Sequence, residues 1–349
     1  MHPEQELAAF AAAGDWPRAL GEPGVRAVIR EVPEDFEVEE IARITPAGAG
    51  DHLWLWVEKR GANTTWVADQ LARAAGCRSG DVGFAGMKDR HAVTRQWYSV
   101  PAPGRRDLPW REWQIEGVTV IDGVRHDRKL RRGTLTGNAF RIVLARPEGD
   151  LEGLVERMRR IADAGLPNYF GEQRFGHGGD NVRRGADWLR RGGRIKRARR
   201  SIYLSAVRSA LFNRVLACRV DAGCWNRLMP GEIAMLDGSR SVFPCDNLDE
   251  SLETRCRELD IHPTGPLPGR DGMQPTDESA ALENSVLAPY EALTAALSAA
   301  GVDAGRRALR VCPRNAGCRF EEGDAVLRFE LPAGAYATAV LRELVTPVR

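Results

Sequence analysis

The sequence predicts an α+β fold in which helices pack on a mixed, largely antiparallel sheet. Residues 25–145 consist mainly of β-rich runs with one clear helix pattern among them, an amphipathic helix pattern follows at residues 151–161, and strand character returns near residue 325. Helices that accompany a largely antiparallel sheet are typical of the α+β class. A chain of 349 residues is long enough for two domains.

The first half of the chain alternates short strands with helices. Strand composition marks five runs, Val25–Ile29, Phe36–Ile41, Leu53–Val57, Val118–Ile121 and Ala139–Leu144. Residues 81–84 and 94–100 have the same character and enclose a glycine-opened loop. Apolar residues at helical spacing predict a helix that is capped by Thr64 or Thr65 and ends at Gly76. The amphipathic helix at residues 151–161 is predicted to end near Gly165.

The second half is richer in helices and loops. A glycine- and arginine-rich loop begins at Asn168, and residues 261–289, rich in proline and glycine, are predicted to be an irregular surface connection. The other predicted elements are a long helix through residues 204–218, a helix over 290–297, a strand over 325–331 and a terminal helix over 337–344. The change in residue composition near residue 166 favours a central insertion, roughly 166–305, into a domain made from both chain ends.

Charge is distributed unevenly, although the net charge is only +2. The run from Arg183 to Arg200 holds nine basic residues and one acid, and the run from Arg125 to Arg132 holds five basic residues and one acid. Such asymmetry suits a surface that meets phosphates, and a solvated helix face or loop is the alternative for either run. With 28% charged and 43% hydrophobic residues, the composition is that of an ordinary soluble protein.

Cysteine usage and the amino terminus predict a cytoplasmic protein without a metal site. Seven cysteines are scattered with no Cys-x-x-Cys pair and no histidine at ligand spacing, which argues against structural zinc. An odd number of cysteines fits a reducing compartment. We find no secretory signal pattern and no apolar run of membrane-spanning length in the sequence.

The most informative stretch runs from Gly83 to Tyr98 and places Asp89 between Lys88 and Arg90 in the glycine-opened loop. Nearby positive charge favours the ionised form of a carboxyl group. An ionised aspartate on such a loop can act as a nucleophile, and basic surroundings can hold a polyanionic substrate. Lys-Asp-Arg alone is more often a solvated turn, so the tripeptide carries little weight without the residues around it.

The longer string Gly-Phe-Ala-Gly-Met-Lys-Asp-Arg-His-Ala-Val-Thr resembles the signature of the TruD family of tRNA pseudouridine synthases. Further segments resemble family segments in the same order, namely Arg30 with Pro33–Phe36, Leu130–Phe140, Asn168–Gly176, the long helix at Ser201–Arg219, and Leu331–Leu344. Together the matches extend from about residue 25 to residue 345. The segment 221–305 is the least diagnostic.

This resemblance implies a pseudouridine synthase catalytic domain formed by residues 1–165 and 306–349, with a TruD-type α+β insertion domain at residues 166–305. It implies that a uridine of tRNA, expected at position 13 in the D arm, is isomerised to pseudouridine after base flipping. Asp89 would be the nucleophile. The reaction involves no redox change or hydrolysis, so no cofactor and no metal are expected. The expected partner is tRNA, and we expect a monomer.

The resemblance also implies the residues that bind substrate. Aromatic side chains contact the target base at Phe36, Phe140 and Tyr336, the last commonly phenylalanine in the family; a flipped pyrimidine favours such surfaces. Asn138 would hydrogen-bond the substrate, and Arg30 would hold the aspartate or a phosphate. Without the family, Phe36 would be a core residue of an edge strand and Asn138 a turn residue. In the 168–176 segment, Arg174 is a candidate RNA or scaffold contact.

Other function classes remain open at this point. A non-catalytic RNA-binding protein could keep the same scaffold, and an intact Asp89 argues against it. A glycosidase-like hydrolase needs a second acid near the first, whereas the local motif supplies cations. A nucleotide-binding P-loop is excluded, because Gly171 and Gly176 lack the following Lys-Ser/Thr.

Overall fold

The computed structural model describes residues 2–105 and 107–348. It contains helices α1 (Pro3–Ala13), α2 (Thr64–Ala75), α3 (Leu151–Ala164), α4 (Asp180–Arg191), α5 (Arg197–Asp221), α6 (Glu250–Arg257), α7 (Asp277–Leu287), α8 (Glu291–Ala299) and α9 (Ala337–Leu344). Among the described residues, every helix is too short or too polar to cross a membrane.

The first eight strands are β1 (Val25–Ile29), β2 (Phe36–Ala42), β3 (His52–Arg60), β4 (Gly83–Phe84), β5 (Val93–Pro101), β6 (Val118–His126), β7 (Leu135–Gly149) and β8 (Leu166–Pro167). The others are β9 (Ile233–Leu236), β10 (Val242–Pro244), β11 (Ile261–Leu267), β12 (Gly305–Ala308), β13 (Arg310–Val311), β14 (Arg314–Glu321), β15 (Asp324–Pro332) and β16 (Thr346–Val348). This content confirms the predicted α+β class.

The chain forms two compact units. The sheet unit comprises Gly24–Ala162, Pro313–Gly334 and Val345–Arg349, and the helical unit comprises Met1–Pro23, Asp163–Cys312 and Ala335–Leu344. Compactness thus groups residues 335–344 and the first residues with the central segment, whereas the sequence-based boundaries join both chain ends in the catalytic domain. Which residues make up the catalytic domain as a functional entity stays a prediction.

The sheet unit is built on a ten-stranded sheet with the central order β14-β15-β7-β2-β5-β3-β6. Strand pairs are antiparallel except β2 with β5 and β1 with β16, so the sheet is mixed and largely antiparallel. The apolar stripe of α2 supplies Val67 and Leu71, which are fully buried with Leu55 and Tyr98 of the sheet. This packing covers one face of the central strands.

Helix α2 begins and ends close to the predicted residues. Gly76 terminates it in the left-handed conformation, at φ 64°, where glycine has no steric cost. At its start, however, the residue before the helix is Asn63, and no side chain makes a capping hydrogen bond there. The predicted capping role of Thr64 or Thr65 is therefore wrong, because both residues lie inside the helix. The hydroxyl of Thr64 accepts the backbone N–H of Lys88 at 2.9 Å instead.

Strand register in the sheet unit brings distant residues together. Glu40 of β2 pairs with Asn138 of β7, and Phe140 of β7 pairs with Phe329 of β15. Side chains at paired positions lie on the same face of a sheet. A carboxylate, an amide and two aromatic rings from three strands therefore share one face.

The helical unit packs around α5, most of whose residues are buried. Its core includes the predicted stripe at Leu204, Val207 and Leu211, together with Phe175. The unpredicted helix α1 contributes Leu7 to the same core. A four-stranded sheet with the order β10-β9-β11-β12 completes this unit, with the short pair β8 and β13.

The prediction of an irregular connection over residues 261–289 is confirmed for residues 268–276 and wrong for the residues on either side. Residues 261–267 form the buried strand β11, and residues 277–287 form α7. Prolines are compatible with this strand because β11 pairs with β9 over residues 261–263 and with β12 over residues 264–267. Each half of the strand is thus paired on one side only. Proline, which has no backbone N–H, is tolerated at positions where no neighbouring strand requires that hydrogen bond.

Candidate active site

The loop that carries Asp89 joins β4 to β5, and three buried polar side chains hold its backbone. Gln96 of β5 donates from Nε2 to a carbonyl oxygen of the loop at 3.1 Å. Thr64 at the start of α2 accepts the N–H of Lys88 at 2.9 Å, and Lys59 of β3 donates from Nζ to the carbonyl oxygen of Asp89 at 2.6 Å. Anchors on three separate elements therefore fix the path of the loop.

The carboxylate of Asp89 is held by Arg30 and by the backbone. Its Oδ2 lies 2.9 Å from Nη1 of Arg30, and its Oδ1 accepts the backbone N–H of His91 at 3.1 Å. The two side chains of the ion pair are 25% and 26% exposed, so the carboxylate is oriented and still reachable from solvent. An oriented, accessible carboxylate meets the geometric requirement for a nucleophile.

The cations beside Asp89 in sequence do not pair with it. Lys88 points to the buried carboxylate of Glu40, and Arg90 donates from Nε to the carbonyl oxygen of Gly61 at 3.3 Å. The prediction that the charges of Lys88 and Arg90 lie beside the carboxylate is therefore wrong, although both residues are its neighbours in sequence. The cause is the cost of leaving a buried carboxylate unpaired, which draws Lys88 toward the sheet.

Lys88 and Glu40 form a buried ion pair under the loop, and Lys88 also contacts the half-buried Asn138. Nζ of Lys88 lies 3.3 Å from Oε2 of Glu40 and donates to Oδ1 of Asn138 at 2.6 Å. The side chains of Lys88 and Glu40 are 4% and 1% exposed. Burial raises the pKa of Glu40 and lowers the pKa of Lys88, and the attraction between the two groups opposes both shifts.

Lys59 is a second buried lysine at this site, with 1% of its surface exposed. Burial lowers its pKa to about 8, while the negative charge of Asp89 acts in the opposite direction. A lysine with a pKa close to neutrality is uncommon and is typical of functional sites. Through its hydrogen bond to the carbonyl oxygen of Asp89, Lys59 helps to fix the position of the loop.

Phe36, Phe140 and Phe329 form an aromatic row. Phe36 and Phe140 meet edge to face with ring centroids 6.2 Å apart, and Phe140 stacks on Phe329 at 5.2 Å. Phe36 is only 3% exposed, and the guanidinium of Arg30 lies 3.8 Å from its ring centroid. Phe140 is half-buried, so it offers the more accessible ring of the two predicted site residues.

Arg30 adopts a backbone conformation that is unusual for a residue with a side chain. Its φ is 63°, in the left-handed region, and this geometry accompanies the contacts of its guanidinium with both Asp89 and Phe36. Non-glycine residues in that region carry a conformational cost and concentrate at functional sites. The two contacts offset that cost.

Tyr336 belongs to the helical unit. Its hydroxyl oxygen accepts hydrogen bonds from Nε and Nη2 of Arg174 at 3.0 and 2.8 Å, and Arg174 also donates to Oγ of Ser205 at 3.0 Å. The ring lies 6.2 Å from that of Phe170. Arg174 thus acts as a scaffold contact within its unit, and the hydroxyl that distinguishes Tyr336 from the commoner phenylalanine has a partner.

The two arginine-rich runs differ in how their side chains are used. In the 183–200 run, five exposed side chains make no ion pair or side-chain hydrogen bond within the part of the chain that the structure describes: Arg191, Arg194, Lys196, Arg197 and Arg199. In the 125–132 run, Lys129 donates to the carbonyl oxygen of Gly80, and Arg132 lies over the ring of Phe84 at 3.7 Å. The first run is therefore the more available surface for phosphates.

Five of the six predicted site residues, all except Tyr336, lie in the sheet unit, where Arg30 contacts both Asp89 and Phe36. Lys59 and Glu40 were not predicted from the sequence, because a single lysine or glutamate in a strand carries no local signal of burial. Their place in strands rich in buried apolar residues is the only sequence hint. Within residues 2–105 and 107–348, no group of three or more His, Cys, Asp or Glu side chains could hold a metal.

Known proteins resemble this chain over most of its length. A family model described as tRNA pseudouridine synthase D (TruD) matches residues 17–182 and 180–344. The protein named tRNA pseudouridine synthase D from Methylococcus capsulatus is 48% identical over 336 residues, which cover 95% of this chain and 94% of that protein. Its namesake from Nitrosococcus oceani is 46% identical over 329 residues, which cover 93% of this chain and 91% of that protein.

The fold has a counterpart among solved structures. The crystal structure of a protein from Methanosarcina mazei, described as a putative tRNA pseudouridine synthase D, matches with a TM-score of 0.70. The match covers 98% of this chain and 97% of that one at 21% sequence identity, so it demonstrates a shared fold. With the family model spanning nearly the whole chain and relatives above 45% identity, the chain belongs to the tRNA pseudouridine synthase D (TruD) family.

Proposed function

We propose that this protein is a tRNA pseudouridine synthase, an isomerase that converts a uridine of tRNA to pseudouridine with Asp89 as the nucleophile. The target is the uridine at position 13, in the D arm. Relatives that share 46–48% of its sequence carry this activity in their names. The observation that supports the proposal most is the geometry of Asp89, whose carboxylate is paired with Arg30 on a loop anchored from three elements.

The proposed reaction needs only groups that the chain supplies. The target base leaves its stack and is contacted by Phe140 and Phe36 of the sheet unit. Asp89 attacks the nucleotide, and the bond between N1 of uracil and C1′ of ribose breaks. The base then turns, C5 bonds to C1′, and the bond between Asp89 and the nucleotide breaks, which frees the carboxylate. C5 loses its proton and N1 gains one, so atoms and electrons balance without an oxidant. Exclusion of water would protect the cleaved state.

Binding of tRNA is proposed to involve the five exposed basic side chains between Arg191 and Arg199. Contacts of Arg and Lys with phosphates supply sequence-independent affinity that falls as salt rises. We propose that the enzyme acts as a monomer in the cytoplasm, where its substrate is found. No cofactor is part of the proposal.

The test is modification of a tRNA transcript by the purified protein and by the Asp89→Asn variant, with pseudouridine mapped by specific chemistry. The Asp81→Asn variant is the matched control, because Asp81 also pairs with an arginine, Arg78, in the same stretch of chain. We expect one modified site in the D arm for the parent and the control, and none for Asp89→Asn. Pseudouridine formation by Asp89→Asn would contradict the assignment of the nucleophile.

The same assay separates the other function classes. Tight tRNA binding without pseudouridine from the parent protein would indicate an RNA-binding protein. Release of free uracil would indicate a glycosidase-like hydrolase, since water would then have intercepted the cleaved nucleotide. A modified site outside the D arm would contradict only the position of the target.

A further inference from the structure

The contact of Asn138 with the buried Lys88–Glu40 pair determines which end of the Asn138 amide faces the site. A carboxamide has an acceptor end and a donor end that are nearly equal in shape, so its hydrogen bonds decide its orientation. A lysine amine or ammonium reaches Asn138 at 2.6 Å as a donor. The oxygen of Asn138 therefore points to Lys88.

The nitrogen of Asn138 points the other way and is available. Asn138 is half-buried, its nitrogen makes no hydrogen bond within the described residues, and it is not among the buried polar atoms there that lack a partner. It is thus open to solvent. Asn138 lies two residues before Phe140 on the same strand face, so the free N–H₂ group stands on the side of the sheet that carries the accessible aromatic ring.

Glu40 keeps this arrangement in place. Its Oε2 lies 3.3 Å from Nζ of Lys88, and its Oε1 accepts the backbone N–H of Trp97 at 3.4 Å. Because an unpaired buried charge is costly, Lys88 stays beside the carboxylate of Glu40. Lys88 therefore has little freedom to move away from the Asn138 oxygen. The two residues act on Asn138 without being exposed themselves.

We propose that Lys88 and Glu40 are positioning residues that make Asn138 a hydrogen-bond donor to a carbonyl oxygen of the target uracil. Uracil presents two such oxygens, at C2 and C4, and a single donor, at N3. An amide held with its nitrogen outward can recognise only the oxygens. This inference rests on the proposed function and adds the chemical sense of the contact.

The test compares transcripts that carry uridine, 2-thiouridine or 4-thiouridine at the target position. Sulfur accepts a hydrogen bond more weakly than oxygen does. Three proteins are used: the parent, Asn138→Ala, and the double variant Lys88→Met with Glu40→Gln, which replaces the buried pair by neutral side chains of similar size. Thermal unfolding and tRNA binding are measured for each protein to separate loss of fold from loss of the contact.

In the parent, sulfur at one of the two positions should lower kcat/KM by up to about tenfold, the upper end of what one ordinary hydrogen bond contributes. In Asn138→Ala the same sulfur atom in the transcript should lower kcat/KM by less than about twofold, because no hydrogen bond from Asn138 remains to be weakened. The double variant should show a reduced sulfur effect, since the amide is free to turn. General destabilisation alone would not make the effect of one sulfur depend on Asn138.

Equal sulfur effects in all three proteins would overturn the inference, even if the uridine transcript is modified normally. Loss of the sulfur effect in Asn138→Ala but not in the double variant would overturn the positioning role of Lys88 and Glu40. Absence of pseudouridine from the uridine transcript would overturn the proposed function itself, and the inference with it.

Discussion

Arg30 Nη1 lies 2.9 Å from Oδ2 of Asp89, and the same guanidinium lies over the ring of Phe36 at 3.8 Å. One side chain therefore orients the proposed nucleophile and covers a neighbouring aromatic ring. A planar guanidinium can do both at once, whereas a lysine ammonium offers only a point charge. Arg30 holds this position from a strained backbone at φ 63°.

The first prediction concerns Arg30. Arg30→Met should lower the single-turnover rate of pseudouridine formation by about 10- to 100-fold, the range expected when a hydrogen bond to a charged group is removed. The rate of Arg30→Lys should lie between those of the parent and Arg30→Met, because lysine restores the charge without the planar contact. Arg146→Met is the matched control, since Arg146 also has a positive φ and pairs with a carboxylate, Glu31. An equal loss in the control would contradict the prediction.

The second prediction concerns Lys59 and pH. With a pKa of about 8, its ammonium loses its charge as the pH rises above 8, and a neutral amine donates a weaker hydrogen bond to the Asp89 backbone. The kcat of the parent should therefore fall with an apparent pKa near 8. Lys59→Arg, which stays charged, should lack this decline. The control is Lys129→Met, because Lys129 likewise donates to a backbone carbonyl at 2.6 Å.

Lys59 should also affect stability, in the opposite sense. Its pKa is about 8 in the folded protein against an ordinary 10.5, so between these values the unfolded chain binds more protons. The stabilisation from this group should consequently rise with pH across that window, by about 3 kcal/mol. Urea unfolding of the parent and of Lys59→Met from pH 7 to 10.5 measures it as the difference between the two curves. A constant difference would contradict the assigned pKa.

The third prediction concerns the exposed basic side chains. Replacing Arg191, Arg194, Arg197 and Arg199 by Gln should weaken tRNA binding and flatten the dependence of log Kd on log salt, by up to about 0.7–0.9 for each phosphate that is no longer neutralised. The control replaces Arg183, Arg184 and Arg190, which already pair with Asp180 or Asp187. Unchanged affinity and salt dependence in the first variant would exclude this surface from tRNA binding.

The parts of the site that could be predicted from sequence are those with a local signal. Asp89 stands in a long motif, and the strands and helices with regular spacing appear close to their predicted residues. Val25–Ile29, for example, coincides with β1. Arg30 is expected beside Asp89 only from the family resemblance. Lys59 has no such signal, because it reaches the loop through the pairing of β3 with β5, which spacing along one segment does not encode.

Errors arose where tertiary context outweighed local composition. The prolines of residues 261–267 indicate a loop when considered alone, but paired strands on alternate sides accommodate them. Thr64 has the composition of a helix cap, but the loop of Asp89 competes for its hydroxyl. Glu40 has the composition of a solvated strand residue, and only the pairing with Asn138 and the presence of Lys88 explain its burial.

The parallel pairing of β1 with β16 has a consequence for synthesis of the protein. β1 lies near residue 25, and its partner over residues 346–348 is translated more than 300 residues later. Contacts between such distant segments form late and slow folding. The sheet unit can therefore be completed only after residues 346–348 have left the ribosome. Until then the edge of β1 that pairs with β16 is unpaired. An unpaired strand edge is prone to aggregation, from which chaperones would protect it.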